Sequence, residues 1–371
     1  MNFQISRNKF LDGIQKTLGI VEKKTTLTVL NNILIKTEPD QIKIVATDSE
    51  ISLVSYYDAK IINNGMITVP ARIIFEMVRE IEGDVIEFQV MENNLVNVTC
   101  DKVIYKIPGT SADDFPKIMD VEDGKSMRLE CKTFKQIIEK TFFAISTDEM
   151  RPNLNGVFLK VKDDNVTAVA TDGHRLSIVT KPLSEDHSKD NDIEGIIIPR
   201  KGVSEIKKFI EDGEYINTYV DEGVFVVSKK DTTLRVSLID ADYPDYSKVI
   251  PGEGGTEIQL DNNQILHSLR RMSVMSSDKY NGVQMNIYDN KLELTSTNPD
   301  IGEAKDEIDI SYSGDLIETG YNVRYLIDAM DPIGDKVISF EVRSENGPGV
   351  IKSAGKNDYM CVIMPVKMRK D

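Results

Sequence analysis

The chain is poor in the residues that carry most redox and metal chemistry. Its three cysteines, Cys100, Cys131 and Cys361, are far apart, odd in number and set in apolar, strand-like surroundings, with no CxxC pair. That spacing argues against a disulfide framework or a thiolate metal site and marks reduced, buried thiols. The three histidines, His174, His187 and His267, form no HxH or HExxH pattern, so neither a metal nor a cofactor is expected. No run of eighteen apolar residues occurs, which excludes a membrane-spanning helix. The opening Met1-Asn2-Phe3-Gln4-Ile5-Ser6-Arg7 lacks the apolar core of a secretory signal, and the protein is expected in the cytoplasm. Positive charge is also short: 45 Lys and Arg stand against 61 Asp and Glu, a net −16 at pH 7. Such a balance argues against a uniformly basic nucleic-acid surface, but it does not say where the charges sit.

What remains is an ordinary globular composition, 40% hydrophobic and 29% charged over 371 residues, enough for two to four domains. The chain repeats itself. Leu30-Asn31-Asn32-Ile33-Leu34-Ile35-Lys36 returns as Leu154-Asn155-Gly156-Val157-Phe158-Leu159-Lys160 and more faintly as Tyr280-Asn281-Gly282-Val283-Gln284-Met285. Ala46-Thr47-Asp48 returns as Ala170-Thr171-Asp172, Val69-Pro70-Ala71-Arg72 as Ile198-Pro199-Arg200-Lys201, and Asp113-Asp114-Phe115-Pro116 near Asp242-Tyr243-Pro244. A spacing of roughly 125 residues is too long for a solenoid and means whole duplicated domains. We expect them at 1–126, 127–252 and 253–371.

Each copy reads as a short strand, an amphipathic helix, three strands, a second helix and three strands. In the first, Ser6 is the expected N-cap and Phe10, Leu11, Ile14 and Leu18 the apolar stripe. Strands are expected at Ile33–Lys36, Gln41–Ala46 and Ile51–Tyr56, then at Val85–Val90, Leu95–Cys100 and Val103–Ile107, with Asn93-Asn94 as a hairpin turn. Between them Pro70 opens a helix striped by Ile73, Ile74, Met77, Val78 and Ile81, and Gly83 stops it. The later helices are expected near 132–147, 199–212, 261–275 and 321–331. Hairpin-length connections demand antiparallel sheets, hence an α+β class. The six helical segments together carry net positive charge, so strands and loops hold more than the whole molecule's −16. Chance scatter on solvated helices fits that as well as a mildly basic helical face does.

Thr171-Asp172-Gly173-His174-Arg175-Leu176 and Val362-Ile363-Met364-Pro365-Val366-Lys367-Met368, together with the threefold period, resemble the bacterial β sliding clamp family over the full length. The resemblance implies a DNA clamp fold of three duplicated domains, each with two helices packed on antiparallel sheets. Two protomers would close head to tail into a homodimeric ring around duplex DNA, opened by an ATP-driven clamp loader and itself no enzyme. The replicative DNA polymerase and repair polymerases would dock short peptides between the second and third domains. The implied pocket is Leu154, Thr171, Gly173, His174, Arg175, Leu176, Pro244, Lys248, Val249, Asn322, Tyr325, Val362, Met364, Pro365, Val366 and Met368. Its leucines, valines and methionines suit apolar side chains from varied partners, and His174, Arg175 and Lys248 supply polar edges. For DNA the resemblance points to Lys24, Arg151, Arg200 and Lys201, and for the ring contact to Ile74, Met77, Lys102 and Tyr105 against Val274, Met275, Asp300, Glu303 and Glu307. Two departures stand out: Lys248 replaces an expected arginine, losing a bidentate donor, and Asp148 stands where a DNA-contacting glutamine is expected.

Blander readings exist for each feature. His174 could be a turn residue with satisfied hydrogen bonds, and His187 sits in an acidic loop. Gly252-Glu253-Gly254-Gly255 lacks the phosphate-loop pattern and reads as an interdomain linker. Asp172 beside His174 suggests acid–base chemistry, but no activated nucleophile accompanies it. A metal-dependent hydrolase and a protein-only scaffold are the alternatives to a clamp.

Overall fold

The computed structural model describes residues 1–21, 28–118, 127–183, 192–211, 213–252, 254–277, 279, 281–343 and 347–367. The first repeat contains β1 (Asn2–Ser6), α1 (Arg7–Thr17), β2 (Asn32–Thr37), β3 (Gln41–Thr47), β4 (Ile51–Asp58), β5 (Lys60–Asn63), β6 (Met66–Pro70), α2 (Ala71–Glu80), β7 (Val85–Val90), β8 (Leu95–Cys100) and β9 (Val103–Pro108). The second contains β10 (Met127–Glu130), α3 (Cys131–Thr141), β11 (Gly156–Lys162), β12 (Asn165–Thr171), β13 (Arg175–Pro182), β14 (Ile193–Pro199), α4 (Arg200–Phe209), β15 (Tyr215–Asp221), β16 (Val224–Lys229) and β17 (Thr232–Ser237). The third contains β18 (Thr256–Asp261), α5 (Asn262–Ser273), β19 (Gly282–Tyr288), β20 (Lys291–Asn298), β21 (Gly302–Asp309), β22 (Ile317–Asn322), α6 (Val323–Met330), β23 (Val337–Val342), β24 (Gly349–Ser353) and β25 (Tyr359–Ile363).

The period-two apolar pattern is what makes the strands. In β8, Val96, Val98 and Cys100 are buried while Asn97 and Thr99 lie on the other face. The helices bury one stripe: Phe10, Gly13, Ile14 and Thr17 on α1, at three- and four-residue spacing. In the first core Phe3 and Phe88 stack at 4.9 Å and Phe10 meets both edge-on at 6.1 Å. Each such ring, fully buried, stabilises the fold by about 1.5–3 kcal/mol from transfer alone.

Contacts divide the chain into two compact units, 1–131 with 204–238 and 132–203 with 239–371. The first unit has a five-stranded sheet, β5-β1-β7-β8-β9, and an eight-stranded sheet, β10-β15-β16-β17-β4-β3-β2-β6. The second has an eight-stranded sheet, β14-β11-β12-β13-β25-β24-β23-β18, and a four-stranded sheet, β21-β20-β19-β22. The pairings are antiparallel, giving the α+β class. The long sheets form because β17 pairs with β4 and β25 with β13, strands from different repeats.

Several local expectations needed correction. A further strand (β6, β14 or β22) leads directly into the second helix of each repeat, and the first repeat inserts one more short strand, β5, before it. Strand runs into helix there without a turn signal, which is why the pattern hid it. Ser6 makes no side-chain cap; the amide of Arg7 donates instead to the Asp84 carbonyl at 2.8 Å. Gly83 does not stop α2, which already ends at an extended Ile81. Gly83 is needed for a close approach, since a Cβ there would lie 2.3 Å from Cys100 Sγ. The Asn93-Asn94 turn is as expected, with both residues at positive φ (55° and 61°).

Candidate functional site

The β13–β25 pairing sets Arg175 opposite Ile363 and Leu176 opposite Val362, so the two sequence motifs meet in one sheet of the second unit. The turn that enters β13 is built by its own side chains. Asp172 Oδ1 accepts from the amides of His174 (2.9 Å) and Arg175 (3.0 Å), and Thr171 Oγ1 accepts from the amide of Gly173 and donates to the Arg175 carbonyl at 2.6 Å. Gly173 holds φ +89°, a conformation that favours glycine, with the Arg151 guanidinium as its nearest side-chain neighbour.

Beneath the turn is an apolar floor. Val169, Leu176 and Val362 form a buried cluster lined by Phe158, Ile178, Tyr243, Tyr246, Ile250 and Met360. Tyr243 stacks on Phe158 at 4.9 Å, and burial drives its phenol pKa up. Leu154 is buried at the end of a 3-10 turn, Pro152–Leu154. Above the floor, Gly173, His174, Pro244, Lys248, Val249 and Met364 are exposed, while Thr171, Arg175, Tyr325, Pro365 and Val366 are half-buried. Asn322 caps α6 by accepting from the Arg324 amide at 3.0 Å. Hydrogen bonds, ring contacts and apolar packing thus join the 171–176 turn, the 362–366 tail, residues 320–325 and the Tyr243–Ile250 segment around one buried apolar cluster. Met368 lies outside the described residues.

The tail after β25 is fastened at both ends: the Met364 amide donates to the His174 carbonyl and the Val366 amide to the Gly320 carbonyl, each at 2.9 Å. Arg175 is the most heavily bonded side chain of the group. Its Nε donates to Asp172 Oδ2 (3.2 Å), its Nη1 to Asp328 Oδ2 (2.6 Å) and its Nη2 to the Phe143 carbonyl (2.5 Å), and the guanidinium lies 4.2 Å from the Tyr325 ring centroid. Asp172, Asp328 and Phe143 were not among the expected site residues. Asp172 had a signal, the Thr-Asp turn repeated at Thr47-Asp48; Asp328 had only its place three residues after Tyr325. Lys248 pairs with Asp245 at 3.3 Å in the open. The Asp245 carboxyl is held below its usual range, first by the Ser247 hydroxyl and then by Lys248.

Family models describing the N-terminal, central and C-terminal domains of the DNA polymerase III beta subunit match residues 1–119, 128–245 and 247–367. The chain belongs to the DNA polymerase III beta subunit family. It is 30% identical to the beta sliding clamp of Caulobacter vibrioides and 29% identical to that of Pseudomonas putida, in each case over 99% of this chain and 100% of the relative. The crystal structure of the Pseudomonas aeruginosa DNA polymerase III subunit beta superposes with a TM-score of 0.93 at 28% identity, covering 99% of this chain and 100% of that one. The Bacillus subtilis sliding clamp does so at 0.95 and 25% identity, covering both chains fully. Sliding clamps are processivity factors of DNA replication that catalyse no reaction, and this chain accordingly works by binding.

The residues expected at DNA are placed less simply. Lys24 lies outside the described residues. Arg151 is exposed but its Nε pairs with Asp148 at 2.8 Å. Asp148 is itself held ionised, first by the Met150 amide and then by Arg151. Arg200 lies over the Phe142 ring (4.6 Å) and donates to the Ile145 carbonyl at 3.2 Å; Lys201 is half-buried. Cations of the helices are widely matched by acids: Lys9 with Asp58 and Lys16 with Asp12, both 2.6 Å, and Arg270 with Asp331 at 2.5 Å. The helical excess of positive charge is therefore damped locally.

At the expected ring contact, Lys102 is exposed beside β9, the edge of its sheet, where Val103 and Ile104 are also exposed and Tyr105 is half-buried. Ile74 is fully buried in its own core, so Ile73 is the outward apolar side chain of α2, with Met77 half-buried. In the second unit β21 is likewise an edge. Asp300, Glu303, Glu307 and Val274 are exposed there and Met275 is half-buried. Glu307 pairs with Lys291 at 2.6 Å. No helix among the described residues is long and apolar enough to cross a membrane.

Proposed function

We propose that two copies of this chain close head to tail into a ring that encircles duplex DNA and tethers polymerases to it. The three repeats would serve as domains 1–126, 127–252 and 253–371. The observation that carries the reading is the β13–β25 pairing, which joins both motifs over an apolar floor suited to leucine and aromatic side chains. The replicative polymerase, the clamp loader and repair polymerases would compete for this one pocket through short peptides, in the cytoplasm. The pocket residues are those of the expected set, with Met368 completing its C-terminal side.

For closure, the exposed edge β9 with Lys102 and Lys106 complements the exposed edge β21 with Glu303 and Glu307. Unpaired backbone on two edges of opposite charge favours strand addition between protomers, and a heterologous contact closes when the rotation allows. Arg151, Arg200, Lys201 and Lys24 would face DNA. With helix cations damped by neighbouring acids, few firm phosphate contacts form and barriers between successive positions on DNA stay low. Retention then comes from enclosure, not affinity.

The test is loading onto nicked circular DNA with a loader and ATP, followed by linearisation. The protein should stay on circles, slide off linear ends, and sediment as a dimer in dilute solution. Tight, steeply salt-dependent binding to a short linear duplex, or a monomer that loads, would refute the reading.

A further inference from the structure

Three pieces of the expected pocket come from distant parts of the chain: the turn 171–175, the tail 364–366, and the start of α6 with Asn322 and Tyr325. Two of the links between them are backbone bonds already described, His174 to Met364 and Gly320 to Val366. The third, from the turn to α6, is made by side chains, Arg175 Nη1 to Asp328 Oδ2 at 2.6 Å. The Arg175 side chain is 10% exposed, whereas Asp328 is 41% exposed and lies outside the set expected to touch partners. All three guanidinium nitrogens already donate, to Asp172, Asp328 and Phe143, and Tyr325 covers the group at 4.2 Å.

The first unit supplies an internal control. Asp48 Oδ1 there accepts from the amides of Glu50 (2.9 Å) and Ile51 (2.6 Å), and Thr47 Oγ1 from the amide of Ser49 (3.1 Å). This is the same turn, with Ile51 fully buried where the second unit has Arg175. The turn therefore needs no arginine to keep its own shape. What Arg175 and Asp328 add is the docking of that turn onto α6 and onto the 3-10 turn Phe142–Ala144.

We propose that Asp328 is a positioning residue. Acting through Arg175, it holds the 171–175 turn, the tail and α6 in the one arrangement that partner peptides fit, and the Arg175 charge is consumed inside the protein instead of being offered to the peptide. A guanidinium bonded to carboxylates on two sides is held in plane as well as neutralised. This rests on the pocket reading above.

The probe is a short synthetic peptide with central leucine and phenylalanine, made in two versions that carry an aspartate or an asparagine beside them. In full-length Asp328→Asn, affinity for both versions should fall by the same factor, about tenfold, a 1.4 kcal/mol effect. Amide hydrogen exchange at His174 and Arg175 should quicken, while Glu50 and Ile51 in the unbraced turn keep their rates. Asp328→Glu, which restores the carboxylate, should recover part of both effects. Unchanged exchange at His174 and Arg175 in Asp328→Asn would overturn the proposal. So would a loss confined to the aspartate peptide, because Arg175 would then be answering the peptide's charge. If the unmodified protein bound neither peptide, the pocket reading would fail, and the exchange rates would still decide whether the brace exists.

Discussion

The turn before β4 and the turn before β13 have the same hydrogen bonds and almost the same backbone, with Ser49 at φ +81° and Gly173 at +89°. The strands they enter also pair alike: the Ser237 amide donates to Glu50 as the Met364 amide donates to His174, and the Tyr56 amide to Asp231 as the Thr180 amide to Asp358. What differs is what is bolted on. In the first unit an isoleucine enters the core and the apolar cluster Val45, Val54 and Phe115 is covered by the chain's own Val29, Leu34, Tyr56 and Ile118. In the second an arginine, 10% exposed, braces the turn onto α6, and Gly173, His174 and Met364 stay exposed. Duplication supplied the same scaffold twice, and a few side chains made one copy a closed core and the other a candidate recognition site.

Swapping those side chains breaks the comparison most severely. Ile51→Arg should destabilise the first unit by about 3 kcal/mol, because a cation would replace a fully buried isoleucine while Glu205, which stands six residues after Pro199 as Asp328 stands six after Asn322, is already paired with Lys208 at 2.7 Å. Denaturant unfolding would measure it, and a loss below about 1 kcal/mol would mean that the two turns are interchangeable. Next, Leu176→Ala should cost about 2–5 kcal/mol of stability in the second unit through the cavity it leaves, and weaken peptide binding with it. Gly173→Ser should cost about 1 kcal/mol, since serine gains the strain of positive φ, and Ser49→Gly, which relieves the same strain at φ +81°, should change stability in the opposite direction by no more than about 1 kcal/mol, glycine's greater chain entropy offsetting part of the relief. Differential scanning calorimetry on the pair reads the contrast directly.

The smallest effect is in acid. Lys181 pairs with Asp358 at 2.5 Å across β13–β25, where the first unit has Tyr57. Burial raises the Asp358 pKa, but the hydrogen bond and charge of Lys181 outweigh it, and the carboxyl sits below its usual range. A depressed folded-state pKa contributes stability above the ordinary carboxylate range, and that stability is lost as pH falls through the folded value. Asp358→Asn should therefore remove about 1 kcal/mol at neutral pH and progressively less as the pH falls through the depressed folded-state value, so its unfolding curve should lack that part of the acid dependence. Identical pH profiles for the two proteins would show that the pair is idle.

Much of this was legible in the residues. Gln41–Ala46 was expected as a strand and Gln41–Thr47 is one; Val85–Val90 matched end to end. Alternation and turn residues act locally, so they can be read locally. The strands β6, β14 and β22 were missed because Pro70, Pro199 and Asn322 end a strand and start a helix at one residue, with no turn between. The two motifs point to the pocket residues but not to Asp328, whose role exists only once it meets Arg175, 153 positions away. Ile74 and Ile73 sit side by side on one apolar stripe, and only packing decided which of them points outward.

The sequence by itself determined the threefold duplication, the α+β elements and the Thr-Asp turns, since each depends on periodicity or on side chains bonding to nearby backbone. The tertiary structure decided which strands from different repeats pair, and hence where β13 receives β25 and the turn receives its brace. Those pairings join residues far apart in the chain, and their energies depend on which faces are buried together, which no local pattern records.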